Sequence, residues 1–238
     1  MPMPAVEWSP QPGLSLRSEA IAVERDGAPV TLVRYRLRNT GDQPVDGQLA
    51  LLTRPMQISP PWQNGGLSPL HDIAVENGAV RVNGRRLFQA LTPPSAAGVA
   101  AFGPHGEGEI TRHAADGDVP ARHTVEDPDG LAAAIQQYPV KLQPGEHRDV
   151  VIAFALGNAR IDTQARQWTD APALDTATVT PGGDAGAAFD ALADALAQQW
   201  QSRLGRIGLS LPDASPVDML RAQAAYMLIN QSGHAMQP

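Results

Sequence analysis

The chain contains no cysteine, which excludes disulfides, thiolate metal sites and cysteine nucleophiles. The compartment stays open, because many secreted domains also lack cysteine; export to the periplasm or beyond would need an upstream signal. Lysine is almost missing as well: Lys141 is the only one, every other basic residue is arginine, and the formal net charge is −7. An acidic chain without a basic block is a poor nucleic-acid binder, since phosphate neutralisation supplies most of that affinity. No apolar run approaches the length of a membrane span. The opening MPMPAVEWSPQPG has no basic stretch followed by an apolar one, so it does not read as a signal peptide. Gly-x-Ser-x-Gly is absent, which leaves Ser210 and Ser215 outside any nucleophile elbow. There is no P-loop, and the glycine-rich Gly103-Pro104-His105-Gly106-Glu107-Gly108 is not expected to open a helix. No cofactor is expected.

What is present belongs to a globular β protein. The 238 residues are 42% hydrophobic and 18% charged, enough for a sizeable core in one large domain. Residues 30–39 form the clearest strand, Val30 and Leu32 with their partners alternating with Thr31, Arg34, Arg36 and Arg38. Residues 47–53 read as its hairpin partner across the turn at 40–44. Further strands are predicted at 20–25, 72–76, 79–82, 86–91 and 98–102. Asn77-Gly78 and Asn83-Gly84 supply the positive φ that tight hairpin turns demand. Residues 131–142 and 148–156 read as another pair, joined at Gln143-Pro144-Gly145-Glu146. Residues 103–130, rich in Gly, Asp, Pro and His, read as a long excursion or irregular edge strands. Without helical crossovers before residue 185, the pattern predicts a mainly β, two-sheet antiparallel sandwich rather than a parallel α/β fold.

The texture then changes. Residues 185–206 predict an amphipathic helix with Phe189, Leu192, Leu196, Trp200 and Leu204 on one face. Ile207, Leu209 and Leu211 alternate as a short strand. Ser215 as N-cap, Pro216 at the first helical position and Asp218 in the first turn predict a second helix. Its stripe is Met219, Leu220, Ala224, Met227 and Leu228. Such a stripe needs a partner surface, and the stretch reads as the opening of a helical domain. The expected organisation is a β-sandwich over 1–180, a linker helix and strand over 181–214, and the first helix of a helical domain over 215–238.

The best candidate site in the β region is the proline-fixed loop RPMQISPPWQNGG, residues 54–66. Trp62 offers a flat apolar face ringed by the amides of Gln57, Gln63 and Asn64, a combination that suits a sugar ring. The competing reading has Trp62 plugging a sheet edge or packing on a neighbouring domain, the commoner place for tryptophan. His105, His113 and His123 share the excursion with Glu107, Glu109, Asp116 and Asp118, but their spacings match no metal-ligand pattern. Asp116-Gly117-Asp118 and Asp127-Pro128-Asp129-Gly130 lack the acidic series of a calcium loop and read as turns. No pair of acids stands out as a glycosidase dyad, and His234 reads as a helix-end residue.

Trp200-Gln201-Ser202-Arg203-Leu204, the strand Leu209-Ser210-Leu211-Pro212, the helix over 221–231 and the loop RPMQISPPWQ together resemble the N-terminal half of certain carbohydrate-active enzymes. These are the glucoamylase-like and cellobiose- or maltose-phosphorylase-like enzymes. The resemblance implies a β-supersandwich of the galactose-mutarotase type, linked by helices to a catalytic α/α toroid. The family's catalytic acids lie in the toroid, so the resemblance assigns none here. It implies a non-catalytic domain of a glycoside hydrolase or related enzyme, packing on that toroid and lending a rim contact through residues 54–64. Two alternatives stand beside it. One is a free-standing carbohydrate-binding module stacking sugar on Trp62 or Trp168. The other is a mutarotase-like epimerase, which needs a histidine and a carboxylate across one concave face: His71 with Glu76, or His147 with Glu146.

Overall fold

The computed structural model describes residues 3–25, 28–56, 68–155, 160–162, 167–169, 183–206, 208, 212–229, 231–232 and 235–236. The strands are β1 (Ala5–Gln11), β2 (Leu14–Arg25), β3 (Ala28–Asn39), β4 (Val45–Thr53), β5 (Asp72–Glu76), β6 (Ala79–Val82), β7 (Arg85–Ala90), β8 (Ala96–Ala100), β9 (Thr124–Glu126), β10 (Ala133–Leu142) and β11 (His147–Ala155). Three helices follow the same chain order: α1 (Ile110–Asp116), α2 (Ala185–Leu204) and α3 (Ser215–Ile229). Short strands β12 (Arg160–Asp162), β13 (Gln167–Thr169), β14 (Gln231–Ser232) and β15 (Ala235–Met236) form two separate two-stranded ladders. Eight strands make one sheet, β1-β2-β3-β11-β7-β6-β5-β9, and three make another, β4-β10-β8. The fold is mainly β, a two-sheet antiparallel sandwich followed by C-terminal helices.

Period-two alternation places the core. Ala134, Val140 and Leu142 of β10 face the space between the sheets, meeting Val80, Phe88, Val99 and Ile152 at one end and Leu14, Leu16 and Leu37 at the other. The opposite face of β10 carries Ala133 and Ile135, which pack under Ile110 of α1. The large sheet is covered likewise. Ile152 of β11 points inward, while Val151 and Ala153 point outward beneath Phe189, Leu192 and Leu196 of α2. Central strands β10 and β11 are therefore apolar on both faces; burying a side chain the size of Ile135 is worth roughly 1.5–3 kcal/mol.

Asn77-Gly78 and Asn83-Gly84 turn the β5–β6 and β6–β7 hairpins, and all four residues have φ between 48° and 78°. The other two predicted pairs are not hairpins. β3 pairs with β2 and β11, whereas β4 pairs with β10, so the chain changes sheets at residues 40–44. β10 and β11 part in the same way at residues 143–146. Asn39, fully buried, holds the first of these corners. Its side-chain amide donates to the carbonyls of Gln43 and Leu142, and its oxygen accepts from Gly41 N–H.

Three other expectations are corrected. Residues 103–130 contain helix α1, and the glycine-rich stretch leads directly into it. The Glu109 carboxylate accepts from Thr111 N–H as the N-cap, and Gly117, with φ 74°, ends the helix. Strand β1 adds an edge that the alternation did not reveal, whereas β9, at the other edge, is one of the irregular edge strands expected within 103–130. On β3, Arg34 and Arg36 share the outer face with Val30 and Leu32 and do not alternate with them, since Val33 and Tyr35 take the inner face.

Candidate functional site

Helix α2 is fastened to the outer face of the large sheet by two devices. Phe189, with Leu192, Ala193 and Leu196 beside it, covers Ile21, Val30, Leu32, Val151 and Ala153. Next to this apolar contact lies a charge network. Arg34 is 4% exposed and donates to Glu19 of β2 and Asp190 of α2, while its guanidinium lies 4.3 Å over the Phe189 ring. Arg36 makes a bidentate pair with Asp149 at 2.8 and 2.7 Å and reaches Asp190 at 3.3 Å. Asp149 and Asp190 push the Arg36 guanidinium above its ordinary range, the hydrogen bond to Asp149 contributing most. Partial burial works to raise the Asp190 and Glu19 carboxyls, but hydrogen bonds and charge from the arginines hold both below their ordinary values. Gly186 completes the fit: a Cβ there would lie 2.5 Å from Asp149 Oδ2. Asp184 caps the helix by accepting from Ala187 N–H.

Helix α3 is held differently. At its start Asp213 Oδ1 accepts from both the N–H and the hydroxyl of Ser215, so Ser215 is a donor in the first turn and not the expected cap; the carbonyl of Ala214 accepts the first helical bond, from Asp218 N–H. The bonds from Ser215, the one from the backbone N–H first, keep the Asp213 carboxyl below its ordinary range. Only Val217 and Ala225 are buried. Met219 (67% exposed), Leu220, Tyr226, Met227, Leu228 and Ile229 are all exposed, spread around a 15-residue helix rather than gathered on one side. Monomeric proteins seldom leave this much apolar surface uncovered.

A third feature is an open groove of about 790 Å³ where β5 meets β9 at the edge of the large sheet. Ile73, Val75 and Val125 turn into the core, so Asp72, Ala74, Thr124 and Glu126 turn outward into the groove. Asp72 lies directly opposite Glu126 in the register, and Ala74 opposite Thr124. One wall is built on Asp127, which is 4% exposed. Its carboxylate accepts from the backbone N–H groups of Phe102 and Asp129. His71 Nδ1 lies 3.3 Å from the Asp127 carbonyl; a proton donated there leaves Nε2 as an acceptor. Asp72 Oδ1 accepts from Gly84 N–H. The backbone at Arg122 and His123 ties the wall to both sheets, accepting from Val99 and Val75.

The residues singled out from sequence fall unevenly on this map. Gln57, Trp62, Gln63 and Asn64 lie outside the described residues, as do the side chain of Trp168, the strand of Ile207, Leu209 and Leu211, and His234. His71 and Glu76 are not brought together: Glu76 closes β5, about 16 Å along the strand from His71. Glu146 is occupied by its own turn, accepting from Gln143 N–H at 2.7 Å. His147 instead borders a recess of about 480 Å³ beside Asp149 and Asp184. Among the described residues no three histidine or acidic side chains gather as a metal cage; His113 Nδ1 pairs with Asp118 at 2.7 Å. The groove acids Asp72 and Glu126 were missed. The available signal was the turn Asp127-Pro128-Asp129-Gly130, which ends a three-residue strand too short to show alternation. Comparison with protein-family models and with curated proteins finds no match to this chain.

Proposed function

We propose that this chain is a non-catalytic β-sandwich domain of a carbohydrate-active enzyme, a glycoside hydrolase or a relative, on which a helical catalytic domain packs. The observation that carries the reading is α3 itself, a 15-residue helix on which six large apolar side chains are exposed and only Val217 and Ala225 are buried. The resemblance of the 54–63 and 200–238 segments to glucoamylase-like and phosphorylase-like enzymes supports the carbohydrate assignment by analogy of fold. In this arrangement α2 is the strut, pinned to the sheet by Phe189 and the Arg34 network, and α3 presents the docking surface. The sandwich contributes a rigid platform, and the chemistry belongs to the helical partner. Reading the gene beyond the codon for Pro238 tests this. A run of paired amphipathic helices is expected, roughly 300 residues at ordinary helix and loop lengths; a stop codon there overturns the reading.

A further inference from the structure

The groove between β5 and β9 has the features of a ligand site that the docking role does not use. Its volume, about 790 Å³, lies within the range of small-molecule sites. Its polar groups are spread along a line. Arg122 stands two residues before β9, and Thr124 and Glu126 are its first and last residues, so the three line the groove in chain order. Glu126 is joined across the ladder by Asp72, and His71 lines the same groove. Ala74 and Pro128 supply apolar surface between them.

We propose that this groove binds a short neutral oligosaccharide. The polar groups select against the main alternatives. Two carboxylates repel an anion, while Arg122 at the other end opposes a polycation. A chain of hydroxyl groups meets every requirement. Hydroxyls donate to Asp72, Glu126 and His71 Nε2, accept from Arg122, and both donate to and accept from Thr124. The C–H faces of the rings lie on Ala74 and Pro128. Elongated shape, mixed donors and acceptors, and an open side together fit an oligomer entering lengthwise. The wall is built to hold its geometry, because buried Asp127 ties residues 102, 129 and 71 into one unit. The choice of a sugar rests on the reading of the chain as part of a carbohydrate-active enzyme; the groove itself does not depend on α3.

The test is calorimetric titration of the full 238-residue chain with maltotriose, cellotriose and a β-galactotriose, alongside triglycine and glutamate. Saturable binding of at least one trisaccharide is expected. It should weaken about tenfold in Arg122→Ala and again in Glu126→Gln, the worth of a charge-assisted hydrogen bond. Both side chains are exposed, so circular dichroism should show unchanged folding in these variants. Absence of saturable binding by all three sugars overturns the proposal, and so does stronger binding of triglycine or glutamate. Sugar binding that both variants leave untouched also overturns it, while leaving the carbohydrate reading of the chain standing. Conversely, groove binding that persists although the gene encodes no helical partner separates this inference from the docking role.

Discussion

Helices α2 and α3 follow the same sandwich, yet α2 gathers its apolar residues against the sheet while α3 leaves six large ones exposed and buries only Val217 and Ala225. In α2 the stripe has a shaped counterpart: Phe189 sits in an apolar bed framed by arginines from β3, and Asp190 closes the charge network. Gly186 lets the first turn approach Asp149. In α3 neither device is present: among the described residues no ion pair joins it to the sheets, and Asp218 pairs with Arg221 of the same helix. An amphipathic pattern states that a helix needs a surface, whereas a specific charge placed beside the stripe states which surface it is. On the proposed reading this difference separates a structural helix, α2, from a docking helix, α3, and each variant below tests it.

The largest effect is expected from Phe189→Ala, which empties the site under α2 and should cost about 3–5 kcal/mol of unfolding free energy in urea titration. Arg34→Ala should cost about 2–4 kcal/mol, because Glu19 and Asp149 lose a buried partner, with the share from half-exposed Asp190 discounted for solvent screening. Gly186→Ala should cost about 1–3 kcal/mol, as the added Cβ displaces the Asp149 carboxylate from Arg36. If the three changes leave the midpoint of unfolding where it was, α2 is no better docked than α3 and the contrast fails.

The same network sets an acid limb. Glu19 and Asp190 have lowered folded-state pKa values, against ordinary values of 4.5 and 3.8 for the unfolded chain. Their contribution is thus complete above those ordinary values and is lost as pH falls through the lowered ones. Thermal unfolding followed from pH 7 to pH 2 should show stability declining below about pH 4.5. The decline should be shallower in Arg34→Ala, which removes the strongest of the interactions that lower both groups and leaves Arg17 beside Glu19 and Arg36 beside Asp190. An identical acid limb in the variant would remove the network from the account.

The sequence shows how far such contrasts can be read in advance. Helix α2 and its stripe were legible, as were the Asn-Gly hairpins, because both signals are local: a 3.6-residue period and a pair of residues that accept positive φ. The sheet changes at 40–44 and 143–146 were not legible. A turn signature reports backbone angles, and the same angles serve a hairpin within one sheet or a corner between two. Arg34 and Arg36 read as the solvent face of β3, since their cover comes from Asp190, more than 150 positions along the chain. One clue was available: they continue the parity of Val30 and Leu32, and an acid follows Phe189 in the helix stripe. The groove was the least legible feature. It joins residues 71–74 to 122–128 through a strand of three residues, and no period can be seen in three.

The smallest effect on stability should come from α3. The quadruple change Met219→Gln, Leu220→Gln, Met227→Gln and Leu228→Gln replaces side chains that already face water, and glutamine keeps a high helix propensity. Each substitution should move unfolding free energy by no more than about 0.5 kcal/mol, far less than Phe189→Ala alone. Its consequence should instead be seen in association. Sedimentation velocity of the unchanged chain should show concentration-dependent self-association through the exposed side chains, and the quadruple variant should sediment as a monomer at the same concentrations. Strong destabilisation by the quadruple variant would mean that these side chains are packed within the chain, and α3 would then belong with α2 as a structural helix.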